Sequence, residues 1–222
     1  GGGLISGVAY AMKSLNPKIE IYGVQAAGAP SMYESIKQKQ AITLPQVSTV
    51  ADGIAVKTPG DLTYDICSKY VDDICTVSED EICAAILRLL EEEKIVAEGA
   101  GAVSVAAAMF NKVPIKGKKT ICLVSGGNID VTILNRVINR GLEKGGRICT
   151  ISMELDDKPG QLYEVNGVIA GMGGNVLSVY HERSAYSKKI NACELSVKIE
   201  TRNHEHVEEI KESLKSKGFK LK

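Results

Sequence analysis

The sequence predicts an α/β protein in two parts: a parallel sheet with helices on both faces over residues 1–146, then a βαββαβ, ferredoxin-like sandwich over residues 147–222. Three observations carry that prediction. Apolar runs of strand length alternate with helix-period segments as far as Leu142, the pattern of βαβ units. After Gly145-Gly146 the pattern changes to strict two-residue alternation. The composition, 44% apolar and 24% charged over 222 residues, is that of a globular chain able to bury one large core or two modest ones.

The elements follow in order. Gly1-Gly2-Gly3 runs into Leu4 to Lys13, good helix material, so a glycine loop feeds a helix N-terminus. Beyond Asn16-Pro17, Ile19 to Val24 alternates like a strand; a short helix is expected around Ser31 to Gln38, then a loop as far as Gly60. Asp61 begins a helix with Leu62, Ile66 and Tyr70 at four-residue spacing, and Asp73 to Val77 reads as a short buried strand. Ser78-Glu79-Asp80-Glu81 is a capping box, because the serine hydroxyl can accept from the Glu81 backbone N–H while the Glu81 side chain reaches back. Ile82, Ala85, Ile86, Leu89 and Leu90 then make one apolar face. Ala100 to Phe110 is nearly apolar all round and so predicts a buried helix. Thr120 to Val124 predicts a strand, and Asp130 opens a helix carrying Val131, Leu134, Val137, Ile138 and Leu142.

In the second part Cys149, Ile151, Met153 and Leu155 alternate with polar residues as a first strand, and a helix is expected from Pro159 with Leu162, Val165 and Ile169 on one face. Asn175 to Glu182 and Lys189 to Glu200 predict two further strands. Val207, Ile210 and Leu214 mark a last helix and Gly218 to Leu221 a last short strand.

With 27 Lys+Arg against 27 Asp+Glu the net charge is zero, so the chain carries no electrostatic footprint for nucleic acid or an anionic membrane. Its longest apolar stretch, Ala102 to Phe110, is broken by Ser104 and falls well short of the roughly 20 residues a membrane helix needs. A soluble, cytoplasmic protein with neither nucleic-acid nor membrane partner is expected. Six cysteines without a CxxC pair fit reduced thiols. His204 and His206 fall on different sides of a helix and His181 lies in another element, so the three histidines build no metal site on their own and are expected at the solvated surface. Residue 1 is Gly rather than Met, inside a glycine run, which suggests a piece of a longer protein.

Four segments could carry chemistry. Backbone N–H groups of the Gly1-Gly2-Gly3 loop can converge on an anion, and the helix behind adds its positive dipole end; plain turns also use such runs. Ser125-Gly126-Gly127-Asn128 follows a predicted strand, and in open α/β sheets ligands sit beyond the carboxyl ends of strands, so the Ser125 hydroxyl should face a crevice. Glu98-Gly99-Ala100-Gly101 sets a carboxylate ahead of a helix so small-sided that something must approach its backbone closely; an exposed glutamate favouring the helix dipole is the plainer alternative. Ala51-Asp52-Gly53-Ile54-Ala55-Val56, with Pro59-Gly60 behind it, is uninformative by itself.

Taken together in this order, GGGLISG, ADGIAVKTPG, VDDICTVSEDEI, EGAGA and LVSGGNID resemble the fold type II (tryptophan-synthase-β-like) pyridoxal-phosphate enzymes, most closely the threonine/serine dehydratases. The resemblance covers residues 1 to about 144. The rest, with Asp157-Lys158-Pro159-Gly160-Gln161-Leu162 and Gly174-Asn175, looks like a single ACT domain, a pairing similar to the allosteric threonine ammonia-lyases.

The resemblance implies pyridoxal 5'-phosphate as cofactor, with Gly1, Gly2, Gly3 and Leu4 on the phosphate-cradling loop and Ser125 against the pyridine nitrogen. A hydroxyl there suits an unprotonated ring and β-elimination better than transamination. Glu98 matches a carboxylate one layer behind the reacting atoms. At the family's cation site this chain has Gln25, Ala29 and Ser31, which counts against a divalent ion and leaves room for a monovalent one. The Schiff-base lysine lies upstream of the glycine loop in the family and matches no lysine here, so the chain alone is expected to be inactive. The ACT resemblance implies an amino-acid effector at Asp157, Pro159, Gly160, Gln161, Leu162 and Asn175, across an interface between two such domains, with a homodimer or homotetramer as the assembly. The intact enzyme would turn L-threonine into 2-oxobutanoate and ammonia, or L-serine into pyruvate, in isoleucine biosynthesis or threonine catabolism. A non-catalytic amino-acid sensor is the alternative from another class. A nucleotide-binding Rossmann domain is disfavoured because no G-x-G-x-x-G follows a strand.

Overall fold

Gly2 sets the first turn of the chain. Its φ of 88° lies in the left-handed region, and α1 (Gly3–Leu15) starts directly behind it. The structure, a computed structural model, describes residues 1–183 and 192–222. The chain divides into two compact units, Gly1–Ile138 and Asn139–Lys222. The division falls inside a helix, α6, earlier than the glycine pair at which composition changes.

In the first unit α1 is followed by β1 (Tyr22–Ala26), α2 (Ser31–Gln38), a single 3-10 turn (Asp52–Ile54), α3 (Asp61–Tyr70) and β2 (Asp73–Val77). Then come α4 (Glu79–Arg88), a π turn (Leu89–Glu93), α5 (Gly99–Met109) and the start of α6 (Val131–Lys144). β1 and β2 pair in parallel from Tyr22 opposite Asp73 to Ala26 opposite Val77. The capping box at the head of α4 forms as its spacing requires: Ser78 accepts from the Glu81 N–H at 3.3 Å, and the Glu81 carboxylate accepts from the Ser78 N–H at 2.8 Å. Ile82 and Ile86 of α4 then pack with Val77, Ala102, Ala106 and Val137 in one core.

Two expectations fail here. Thr120–Val124 joins no ladder among the described residues, and Ile121 is 94% exposed. A parallel strand is stabilised by partner edges and by cover on both faces, and this run has only a side-chain hook, the Ser104 hydroxyl donating to the Leu123 carbonyl at 2.9 Å. On α3 the inward residue is Cys67, packed with Met32, Ile74 and Tyr64, while Leu62 is 72% exposed. Of the 62/66/70 stripe, Ile66 and Tyr70 are half-buried and only Leu62 is turned out to solvent.

The second unit runs β3 (Ile148–Asp156), α7 (Gln161–Gly171), β4 (Asn175–Glu182), β5 (Ala192–Glu200), α8 (His204–Ser216), β6 (Lys220–Leu221). Its sheet has the order β4-β5-β3-β6 with every pairing antiparallel, the βαββαβ arrangement expected. Residues 189–191, the expected opening of the third strand, lie outside the described residues. Met153, Leu195 and Ile199 pack with Val165, Ile169 and Ile210 in one core; fully burying side chains of this size contributes about 1.5–3 kcal/mol each.

Pro159 does not occupy the first helical position. Gly160 takes φ 95° as the N-cap of α7, so the helix starts two residues later and the proline lies outside it. Of the three histidines expected at the surface, His181 and His204 are exposed and His206 is not. His206 is 1% exposed, its Nδ1 accepts from the Arg202 N–H at 3.1 Å, and its Nε2 donates to the Met172 carbonyl at 2.8 Å. The imidazole stitches the start of α8 to the end of α7. No helix among the described residues is long and apolar enough to cross a membrane.

Candidate functional site

The glycine loop builds a helix N-terminus with open donors. The first helical bond of α1 runs from the Ser6 N–H to the Gly2 carbonyl at 2.9 Å, so the N–H groups of Gly3, Leu4 and Ile5 have no acceptor within the helix. Aligned donors and the dipole end favour an anion there. The loop is pinned from outside by Thr63 of α3, whose hydroxyl donates to the Gly1 carbonyl at 2.5 Å. A side chain at Gly2 would meet Met32 Cε at 2.6 Å and Thr63 at 3.1 Å, so the turn tolerates only glycine. Nothing in the sequence marks Thr63 for this role: it sits inside α3, and only the fold brings it to Gly1.

Three segments distant in sequence meet a little further along the unit. Glu98 is the half-buried N-cap of α5, and its N–H donates to the Gly126 carbonyl at 3.1 Å. A Cβ at Gly101 would lie 2.5 Å from the Gly126 carbonyl oxygen, and a Cβ at Gly126 would strike the Glu98 carboxylate. Gly99 lies against the backbone of Val50 and Ala51, and Gly53 against Ala100 and the Glu98 carboxylate. The glycines of EGAGA and SGGN therefore exist to let backbones touch. The 51–56 stretch links both places, since Val56 sits 3.8 Å from where a Gly1 side chain would be. Its function was invisible in sequence because it supplies backbone and position rather than reactive groups. Ser125 is exposed beside this junction rather than at the end of a paired strand.

At the expected cation position Gln25 spans the loop: its Nε2 donates to the Ala29 carbonyl at 3.4 Å and its Oε1 accepts from the Tyr33 N–H at 2.7 Å. The Ser31 hydroxyl is buried without a partner, as is Glu79 Oε1, whose other oxygen accepts from the Val50 N–H at 2.7 Å.

In the second unit, residues 155–162 with His181, Arg183, Cys193 and Leu195 line a cleft of about 380 Å³. The N–H groups of Gln161, Leu162 and Tyr163 precede the first helical bond of α7, from the Glu164 N–H to the Gly160 carbonyl, and so remain open to an anion. Asp157 is held by Arg183 Nε at 2.9 Å. Asn175 does not join this cleft: it starts β4, opposite the end that carries His181, and donates to Glu200 at 2.9 Å.

A family model described as "Pyridoxal-phosphate dependent enzyme" matches residues 1–127. The chain belongs to the pyridoxal-phosphate dependent enzymes. Among relatives of this pyridoxal-phosphate family, it is 50% identical over 222 residues to an L-threonine ammonia-lyase of Thermotoga maritima, covering 100% of this chain and 55% of that protein. It is 41% identical over 219 residues to an L-threonine ammonia-lyase of Geobacter sulfurreducens, covering 99% of this chain and 54% of that one. The chain thus spans about half the length of the curated relatives it matches. A solved structure, the processed form of threonine deaminase isoform 2 from Solanum lycopersicum, is 35% identical with a TM-score of 0.59 over 63% of this chain and 39% of that one. Pyridoxal phosphate is the cofactor of this family, and the residues present fit its phosphate end: an αL glycine that admits no Cβ, followed by open helix donors.

Proposed function

We propose that the chain is the C-terminal portion of a threonine ammonia-lyase, with residues 147–222 as its ACT regulatory domain. The observation that carries this reading is the match along the whole chain, second unit included, to the T. maritima lyase. When bound, pyridoxal phosphate supplies the electron sink that lets an amino acid lose its α-proton and then its β-hydroxyl. The N–H groups of Gly3, Leu4 and Ile5, presented by the Gly1–Gly3 loop, would hold its phosphate. Ser125 would meet the ring nitrogen with a hydroxyl, a partner that carries no charge to hold a proton there. Glu98, fixed by Gly126, would stand behind the reacting atoms as a carboxylate. The net change on threonine is 2-oxobutanoate plus ammonia; on serine it is pyruvate plus ammonia.

No lysine in these 222 residues lies in a motif matching the family's covalent anchor, so that group would come from another segment. A monovalent ion at Ala29 and Ser31 fits the buried, unpartnered Ser31 hydroxyl, provided the Gln25 amide gives up the Ala29 carbonyl. In the second unit the open amides of Gln161 and Leu162, shaped by Pro159 and Gly160, would take the carboxylate of an effector amino acid beside Asp157. Two such domains would meet in a homodimer or homotetramer.

The test joins the chain to the sequence encoded immediately upstream and assays keto-acid formation from L-threonine and L-serine with pyridoxal phosphate, beside the 222-residue chain alone. Activity in the joined protein only is expected. A joined protein that binds isoleucine or valine yet neither takes up cofactor nor yields a keto acid would turn the reading into that of an amino-acid sensor.

A further inference from the structure

Strand pairing brings three residues of metal-ligating type to one end of the second unit's sheet. Leu155 lies opposite Cys193, and His181 opposite Leu195, so these four share the face on which Cys193 and Leu195 are buried. Asp157 follows Leu155 two positions on, just past the end of β3. An Asp157 oxygen, a His181 ring nitrogen and Cys193 Sγ all lie within 4.8 Å of one another, at the wall of the 380 Å³ cleft. The histidines alone gave no site in sequence; the fold adds a carboxylate and a thiol from two other segments.

We propose that Asp157, His181 and Cys193 bind a zinc ion that keeps a fourth coordination position open to the cleft. One sulfur, one imidazole nitrogen and one carboxylate oxygen form a borderline-soft donor set, suited to zinc rather than to magnesium or calcium, which take oxygen ligands. Bond lengths of about 2.0–2.3 Å would draw the three donor atoms to roughly 3.5 Å apart. The closure is small, and His181 and Asp157 are exposed and able to make it. Arg183 holds the Asp157 carboxylate from outside and would orient it as the ion takes one oxygen.

Cys193 now donates its S–H to the Leu155 carbonyl at 3.6 Å. On binding, that S–H bond breaks, a Zn–S bond forms and the proton goes to solvent. The proposal does not rest on an effector occupying the same cleft.

The experiment titrates the 222-residue chain, stripped with chelator, with cobalt(II) as a spectroscopic stand-in and then with zinc. Expected are a thiolate-to-cobalt charge-transfer band that saturates at about one ion per chain, its loss when zinc is added, and release of about one proton per ion. Cys193→Ser should abolish the band and Cys149→Ser should leave it. His181→Ala and Asp157→Asn should weaken binding roughly 10–100-fold, with circular dichroism matching the parent, because both side chains are exposed. Absence of the band, its survival in Cys193→Ser, or its loss in Cys149→Ser overturns the site. Isoleucine titration of the metal-free chain is a separate arm: silence there removes the effector reading and leaves zinc standing on the cobalt band.

Discussion

The two units solve the same problem, burying a sheet, in opposite ways. In the second, each strand has a neighbour from the same 84 residues, Asn139–Lys222, and one face is covered by two helices. In the first, only two strands pair among the described residues, and a third apolar run joins no sheet and leaves Ile121 in solvent. An antiparallel sheet can be closed by local connections, whereas a parallel one needs crossovers and cover on both faces. The cores differ accordingly. Large aliphatic side chains fill the second unit, while around Glu98 and Gly126 the first is closed by backbone against backbone.

That contrast can be broken at specific residues. Leu195→Ala should cost the second unit about 3 kcal/mol, the largest effect here, since Leu195 is fully buried amid β3, β5 and the helices; hydrogen exchange at the β3 and β5 amides reads it. A loss under 1 kcal/mol would mean the core is not as tightly packed as the burial of Leu195 implies. Gly101→Ala in the first unit adds only a methyl, but one 2.5 Å from the Gly126 carbonyl. It should destabilise by about 1–3 kcal/mol and weaken pyridoxal-phosphate binding, measured by cofactor fluorescence, whereas Gly167→Ala on α7 meets nothing within 4 Å and should be neutral or better.

Smaller effects sharpen the comparison. Ser78→Ala removes the hydroxyl half of the capping box and should cost about 1 kcal/mol in a denaturant titration, with Ser78→Asp restoring most of it. Acid sensitivity should be traceable to Asp72. Partial burial works against its charged form, but the Lys13 ammonium at 2.7 Å and the Ile21 N–H at 2.6 Å outweigh that and hold its carboxyl below the usual range. A depressed carboxyl stabilises the fold above its unfolded pKa of about 3.9. That stability is lost as pH falls through the lower folded value. Asp72→Asn should therefore lower stability at neutral pH by roughly 0.5 kcal/mol, modest because the side chain is 38% exposed and screened, and should flatten the acid limb of a stability-versus-pH curve.

The elements were legible to different degrees for stated reasons. β2, α2 and the capping box fall where spacing placed them, because caps and short apolar runs are local signals. The four-stranded unit was legible because antiparallel alternation writes the buried face into every second residue. Thr120–Val124 misled because an apolar run records an affinity for neighbours without saying whether they are there. Leu62 misled because a periodic stripe does not say which of its members the fold covers. His206 looked like a surface residue, yet two backbone partners make its burial tolerable.

What the residues settle unaided is everything governed by near neighbours: the glycine loop that launches α1, the cap at Ser78, the alternating strands after Gly146, and a family resemblance strong enough to name the cofactor. Folding alone decided which distant pieces touch. Glu98 reaches Gly126, Thr63 clasps Gly1, and Asp157, His181 and Cys193 gather at one sheet end, because strand register and glycine-permitted backbone approach set those distances and neither is recorded along a one-dimensional chain.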